Sequence, residues 1–255
     1  MVLWAILGNS SGIHLHLEYS SSQNWQCSTF LNPCTALGIP NSTGTIIEYN
    51  GSAPFPQAEW IYTDNYLNDS QKENNAICVI NFYRNLGVND TTIAGILGNM
   101  EAESTIEPIL NERGGGGGYG LVQWTPKTVL INHCSTLNLS PYTYGDIQCE
   151  CIYYEIIGSP SSVNEWYSSQ AFISNYYNSG ATSDMIGITG QQFIDNTMNW
   201  TADKLAILFM AAYERPSYSP LVNHYQQRQA NALKWYNFMQ GYIPPSPTPT
   251  PRTKW

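Results

Sequence analysis

Three glutamates, Glu101, Glu103 and Glu107, crowd the segment between Asn99 and Pro108. Five glycines follow, Gly114–Gly118, and then Tyr119-Gly120-Leu121-Val122-Gln123-Trp124. A carboxyl group does proton chemistry near neutral pH when an apolar wall disfavours its charged form. One placed at the end of an apolar helix, beside the aromatic Tyr119 and Trp124, can protonate a glycosidic oxygen. The spacing singles out Glu103. Ile93, Ile96, Leu97 and Met100 fall at i, i+3, i+4 and i+7, one buried stripe, and Glu103 stands three residues beyond Met100 at its edge. Glu101 and Glu107 then act as neighbours that raise its proton affinity. The plain alternative is a solvated helix end, which an arbitrary Glu-x-Glu usually is.

Glycoside hydrolysis also needs an attacking group. A retaining enzyme places a second carboxylate about 5 Å from the acid, and an inverting one places a base about 6.5–9.5 Å away. Glu112, just before the glycines, is the possible second carboxylate, although Asn111-Glu112-Arg113 equally describes a solvated turn. With a single acid, water attacks, or the sugar's own 6-hydroxyl does, leaving an anhydro product. No Lys-Ser/Thr follows the glycines, so they are not a phosphate loop. They fit a mobile flap.

The elements that must position these residues carry start and stop signals. Ser70 and Glu73 form a capping box for a helix ending near Gly87. Asp90 caps the helix carrying Glu103, and Pro108 prevents its continuation. Thr125-Pro126 opens a helix to about Leu139. Another spans about 146–157 and stops at Gly158. Thr201 caps an apolar helix from Ala202 to Glu214, ended before Pro216. Ser219-Pro220 opens the last, to about Met239, with Gly241 past its end.

The 255 residues suffice for one or two domains, and 42% are hydrophobic, so the chain is globular. Charged residues make up only 11%; Asn, Ser, Thr, Gln and 18 tyrosines supply the polarity, a surface suited to sugars. A net charge of −9 argues against nucleic acid as a partner and against charge-driven attachment to an anionic wall. No segment has the length of a membrane span or the pattern of a signal peptide. Six cysteines are an even count. Cys27 and Cys34 can close a small loop; Cys78 and Cys134 can each pair with one of Cys149 and Cys151. Disulfides would place the chain outside the cytosol, whereas free buried thiols would not.

The ordered set Ile96-Leu97-Gly98-Asn99-Met100, Glu103-Ser104, Pro108, Gly120-Leu121-Val122-Gln123-Trp124-Thr125-Pro126 and Tyr213-Glu214-Arg215-Pro216 resembles the phage tail lysozymes. It is also similar to the more distant goose-type lysozymes and soluble lytic transglycosylases. The resemblance covers about 70–241. It implies an α+β, mainly helical lysozyme-like domain with a small β-hairpin wall. It implies cleavage of the β-1,4 bond between N-acetylmuramic acid and N-acetylglucosamine in bacterial peptidoglycan, outside the cell or on a virion, with no cofactor. Glu103 corresponds to the catalytic acid, Gln123 to a glutamine on the substrate side, and Tyr213 to a cleft tyrosine. Tyr119 and Trp124 become substrate-binding candidates, Trp124 as sugar platform or as core residue. Glu214 and Arg215 fit a supporting ion pair. A lytic transglycosylase using the same acid, or a non-catalytic glycan-binding tail module, are the alternatives.

Residues 1–50 are rich in short β-like segments. Ser10-Ser11-Gly12-Ile13-His14-Leu15-His16-Leu17-Glu18-Tyr19 resembles the closing motif of lysostaphin-like zinc endopeptidases. That family's remaining ligands lie upstream of this motif, and nothing in 1–13 fits them. One protein ligand does not hold catalytic zinc, so no metal site is expected and 1–50 counts as a fragment without peptidase activity. Residues 51–69 resemble a linker, and 242–255 a Pro/Thr-rich tail of the kind that joins modules, so further modules at either end are expected to have been lost.

Overall fold

The apolar stripe that ends at Glu103 becomes the central helix of the helical domain. The computed structural model describes residues 58–241 and the backbone of three strands nearer the N-terminus. The chain divides into two units, Met1–Ser52 and Ala53–Trp255. In the first unit, β1 (Leu3–Ile6), β2 (His16–Ser20) and β3 (Phe30–Leu31) form an antiparallel sheet in that order, with Leu3 opposite Tyr19 and Tyr19 opposite Leu31. The expectations for His14, for Cys27 with Cys34, and for the tail lie outside the described residues, as does the side chain of His16.

The second unit is mainly helical. Its helices are α1 (Asp69–Asn85), α2 (Asp90–Ser104), α3 (Thr128–Thr136), α4 (Gly145–Ile157), α5 (Gln170–Ile173), α6 (Gly190–Asp195), α7 (Ala202–Phe209) and α8 (Tyr225–Gly241). A π-helical turn, Met210–Glu214, prolongs α7. Two expected caps move. The capping box of α1 is Asn68 with Gln71, not Ser70 with Glu73; the amide pair satisfies two backbone donors, Asn68 N and Gln71 N, each at 3.0 Å. Asn89, not Asp90, caps α2, which frees Asp90 to pair with Arg84 at 2.7 Å. The last helix starts at Tyr225 rather than after Ser219-Pro220. There, Ser219 accepts from Val222 and Asn223 in a turn, and the Asn223 amide donates to Ser179 Oγ at 2.7 Å. That fixed turn occupies the residues a longer helix would need.

Helix α2 packs chiefly on α7 and α8. Ile93, Ile96, Leu97 and Met100 are fully buried, as the stripe requires. A Cβ on Gly98 would lie 2.6 Å from the Arg228 carbonyl oxygen and 2.8 Å from the Ala232 nitrogen. Glycine at 98 therefore lets the backbone of α8 close on α2, which carries Arg228 to Glu103. Beyond Ser104 the chain turns sharply through Thr105 (φ 55°) and Ile106 (φ 65°). A β-branched residue in this region costs on the order of 1–3 kcal/mol. Ile106 is held there by complete burial and by Asn75, whose Nδ2 donates to its carbonyl at 2.9 Å.

The expected β-hairpin wall is reduced to two isolated bridges, Asn111 with Tyr119 and Tyr119 with Trp124. Glycines and the positive φ of Gly120 (79°) and Gln123 (51°) leave no extended run long enough for a strand. Gln148 clamps the segment instead. It donates to Pro108 O (2.6 Å) and Tyr142 O (3.0 Å) and accepts from Leu121 N (3.0 Å). A Cβ at Gly120 would strike Gln148 Oε1 at 2.6 Å, so this clamp requires glycine.

Residues 58–68, inside the stretch expected as a linker, are fastened to the helical domain. Trp60 donates to Asp146, Ile61 N to Asn75 and Leu67 N to Thr105. The disulfides considered for Cys78 and Cys134 are not formed: Cys78, Cys134, Cys149 and Cys151 are free, buried thiols. Cys134 and Cys151 are hydrogen-bonded to each other. Among the described residues no helix is long and apolar enough to cross a membrane.

Candidate active site

A cleft of about 570 Å³ opens beside the last turn of α2. Glu103 lines it together with Glu112, Gln123, Trp124 and Tyr213, so five residues expected at the site come together. The Glu103 side chain is 20% exposed, and Arg228, at 4%, donates to its Oε1. Arg228 also donates to Asn99 Oδ1 (2.8 Å) and to the Asn223 carbonyl (2.9 Å). Asn99 is buried and donates onward to Ala206 O on α7 at 3.0 Å. Three helices thus fix the carboxylate of Glu103. Ser104, next along, donates to the Leu121 carbonyl at 2.9 Å and ties the helix end to the cleft floor.

The two neighbouring glutamates have partners of their own. Glu101 is bound by Lys72, Lys234 and the Trp235 indole. Glu107 is buried and accepts from Thr63 N and Oγ1, each at 2.8 Å, and from Ile109 N. The acid that faces Glu103 electrostatically is Glu214. It too lines the cleft, and its buried Oε1 has no hydrogen-bond partner. Burial, then the charge of Glu103, push its carboxyl well above the ordinary range, while Arg228 and Arg215 oppose this. Glu214 does not pair with Arg215, as the sequence suggested. Arg215 sits at φ 50° after the π-helical turn and binds Glu165 instead, at 2.7 Å. Two backbone carbonyls, of Glu165 and Ala212, take its other donor nitrogen.

Each wall residue has its own support. The Gln123 amide donates to Leu110 O (3.1 Å) and Gly120 O (3.0 Å), which leaves its carbonyl oxygen for a ligand. Trp124 is only 6% exposed, so it belongs mostly to the core. Its indole donates to Glu155, which also accepts from the Tyr213 hydroxyl and contacts His133 Nδ1 at 2.6 Å. Tyr119 does not line this cleft. It faces a separate cavity of about 420 Å³ with Tyr62, Asp64 and Lys127, whose ammonium lies 3.8 Å from its ring centroid. Glu112 reaches the cleft, but its Oε2 accepts from Gly118 N at 2.9 Å and folds back over the glycines. Tyr66, which sequence reasoning missed, is 64% exposed on the cleft and is the free aromatic surface there.

Among the described residues, His133, Cys151 and Glu155 are the one group of His, Cys, Asp or Glu whose donor atoms lie close enough for a metal ion, within 4.8 Å. The carboxylate is already engaged by the indole, hydroxyl and imidazole, and the hydrogen bond with Cys134, then burial and the charge of Glu155, keep Cys151 a thiol. The group works as a hydrogen-bonded hub behind the cleft.

A helical domain with a glutamate at a helix end, a cleft beside it and a looped wall opposite has the form of a lysozyme. Residues 74–239 match the phage tail lysozyme family, and the chain belongs to that family. It is also similar to Morphogenesis protein 1 of Bacillus phage B103, 29% identical over 180 residues, which are 69% of this chain and 42% of that protein. The chain thus spans less than half the length of that relative.

Proposed function

We propose that the helical domain is a muramidase, cleaving the β-1,4 bond between N-acetylmuramic acid and N-acetylglucosamine with Glu103 as the general acid. The observation that carries this is the position of Glu103: a partly exposed carboxyl at the end of an apolar helix, on a cleft wall, held by a buried arginine. Its wall residues suit a glycan. The ring of Tyr66 presents an apolar face, and the Gln123 carbonyl can accept from an acetamido N–H or a hydroxyl. The family and the phage relative favour work at a virion tail on the wall of the host cell.

The experiment is digestion of purified peptidoglycan by the wild type and by Glu103→Gln. Loss of the acid lowers the rate roughly 10²–10⁴-fold. Equal release by both proteins would dismiss the assignment. Mass spectrometry of the products separates the chemistries, since a reducing end reports hydrolysis and an anhydro end reports attack by the 6-hydroxyl.

A further inference from the structure

Glu214 is a costly residue to leave where it is. Its carboxyl sits at the end of the π-helical turn, with Oε1 enclosed and without a hydrogen-bond partner. An enclosed polar atom without a partner is destabilising, and an ionised one more so. The charged groups that act on it most come from four parts of the fold. Glu103 faces it from α2, Glu155 from α4, Arg228 from α8 and Arg215 from the turn that follows. Arg215 is committed to Glu165, and Arg228 donates to Glu103, Asn99 and Asn223. Arg228, the cation paired with Glu103, therefore also acts on the second carboxyl of the same cleft wall.

From this geometry we propose that Glu214 is the second carboxyl of the site, and that Glu103 and Glu214 operate as a pair sharing one proton. The proposal rests on the muramidase assignment and supplies the group that assignment lacked. Glu112 is occupied at the glycine turn, whereas Glu214 lines the cleft with one carboxyl oxygen enclosed and without a partner.

In the free enzyme the proton resides on Glu214, and Glu103 carries the charge that Arg228 balances. Burial favours this state, and so does the like charge of Glu103. In the first half of the reaction the O–H of Glu214 breaks and one forms on Glu103. Glu103 passes that proton to the glycosidic oxygen as the C1–O bond breaks. In the second half a water adds to C1, and its proton goes to the now ionised Glu214. The pair returns to its starting state, and one water has been consumed.

The test uses the full chain and the substitution Glu214→Gln, with Glu103→Gln beside it. Glutamine imitates the neutral carboxyl, so folding and glycan affinity stay as in the wild type. The expected result is a kcat lower by roughly 10²-fold or more at nearly constant KM. The basic limb of the kcat profile moves to lower pH, because the residue that retains the proton is gone. Partial recovery is expected in Glu214→Asp, which restores the carboxyl. A Glu214→Gln protein with full kcat and an unchanged profile, while Glu103→Gln is inactive, overturns the pair and leaves the muramidase assignment standing. Activity undiminished in both variants removes that assignment and the pair together. Carbon-13 spectra of glutamate Cδ in the wild type decide the matter even if Glu214→Gln fails to fold. The Glu214 signal is expected in its protonated position at neutral pH and titrates at lower pH in Glu103→Gln. An ionised Glu214 in the wild type at about pH 6 overturns the proposal.

Discussion

Arg228 donates to both Glu103 and Asn99, two residues one turn apart on α2, and so links the proposed acid to the packing of its own helix. Its Nε is spent on the Asn223 carbonyl, which leaves the guanidinium no freedom to rotate. Arg228→Met would leave a carboxylate, an amide oxygen and a backbone carbonyl without this donor. Breaking a buried pair costs about 3–5 kcal/mol. Glu103 is one-fifth exposed and water can reach it, so the lower end, about 3 kcal/mol, is expected by chemical denaturation. Arg228→Lys recovers less than half of this, because a point charge does not span three acceptors in a plane.

Gly98→Ala tests the approach of α8 to α2. The added methyl would lie 2.6–2.9 Å from the backbone and Cβ of α8, where no flexible side chain can move aside. Overpacking of this kind costs about 1–3 kcal/mol. The helix must shift, and Arg228 shifts with it, so activity falls more than stability at the assay temperature accounts for. Glycan cleavage assayed where the variant is fully folded separates the two effects. Unchanged melting and unchanged kcat would show that the close approach does not position the site.

Part of this site is legible in the sequence. Glu103 stood out because an apolar stripe and an ordered family motif converge on it, and Gln123, Trp124 and Tyr213 followed from the same motif. The fastenings were harder to read because they depend on partners far along the chain. Arg228 is 125 positions from Glu103. Yet a signal was present: Arg228 lies in helical register with Asn231, Ala232, Trp235 and Met239, all buried. An arginine on a buried stripe demands an anionic partner. Glu155 shows the same pattern on α4, in register with the buried Gln148, Cys151 and Ile152. Where the sequence misled, the pattern was ambiguous rather than absent. Glu214 next to Arg215 suggests a pair, but the left-handed conformation of Arg215 sends its side chain to Glu165. Tyr119 sits near the wall in sequence, but its ring faces the other cavity.

Tyr66, rather than Trp124, presents an open ring on the cleft. Trp124 is buried against Glu155, while Tyr66 is exposed on the cleft with its ring free. Tyr66→Ala is expected to raise KM about fivefold, roughly 1 kcal/mol of lost ring contact, with kcat and melting temperature unchanged. Trp124→Ala should instead lower stability by about 3–5 kcal/mol, as for other buried aromatic truncations. Steady-state kinetics on soluble glycan fragments, with calorimetry on both variants, distinguishes a sugar platform from a core ring.

His133 makes the stability of the domain depend on pH, in a direction set by its partner. Its hydrogen bond to the fully buried Glu155 raises its pKa above 6.5, and partial burial opposes the rise. A group whose folded-state pKa exceeds its unfolded value stabilises the fold fully below the unfolded pKa. That contribution is lost as pH rises through the folded value. The wild type should therefore lose stability between about pH 6 and the alkaline side of the raised pKa, relative to His133→Gln, whose amide does not titrate there. The loss bears on the cleft, because Glu155 also holds Trp124 and Tyr213. Without the imidazolium, the buried carboxylate keeps those two donors but loses its positive partner. Melting temperatures of both proteins, measured from about pH 6 to about pH 9, should converge at the alkaline end. A difference that stays constant with pH, or grows as pH rises, would show that His133 is not the protonated partner of Glu155.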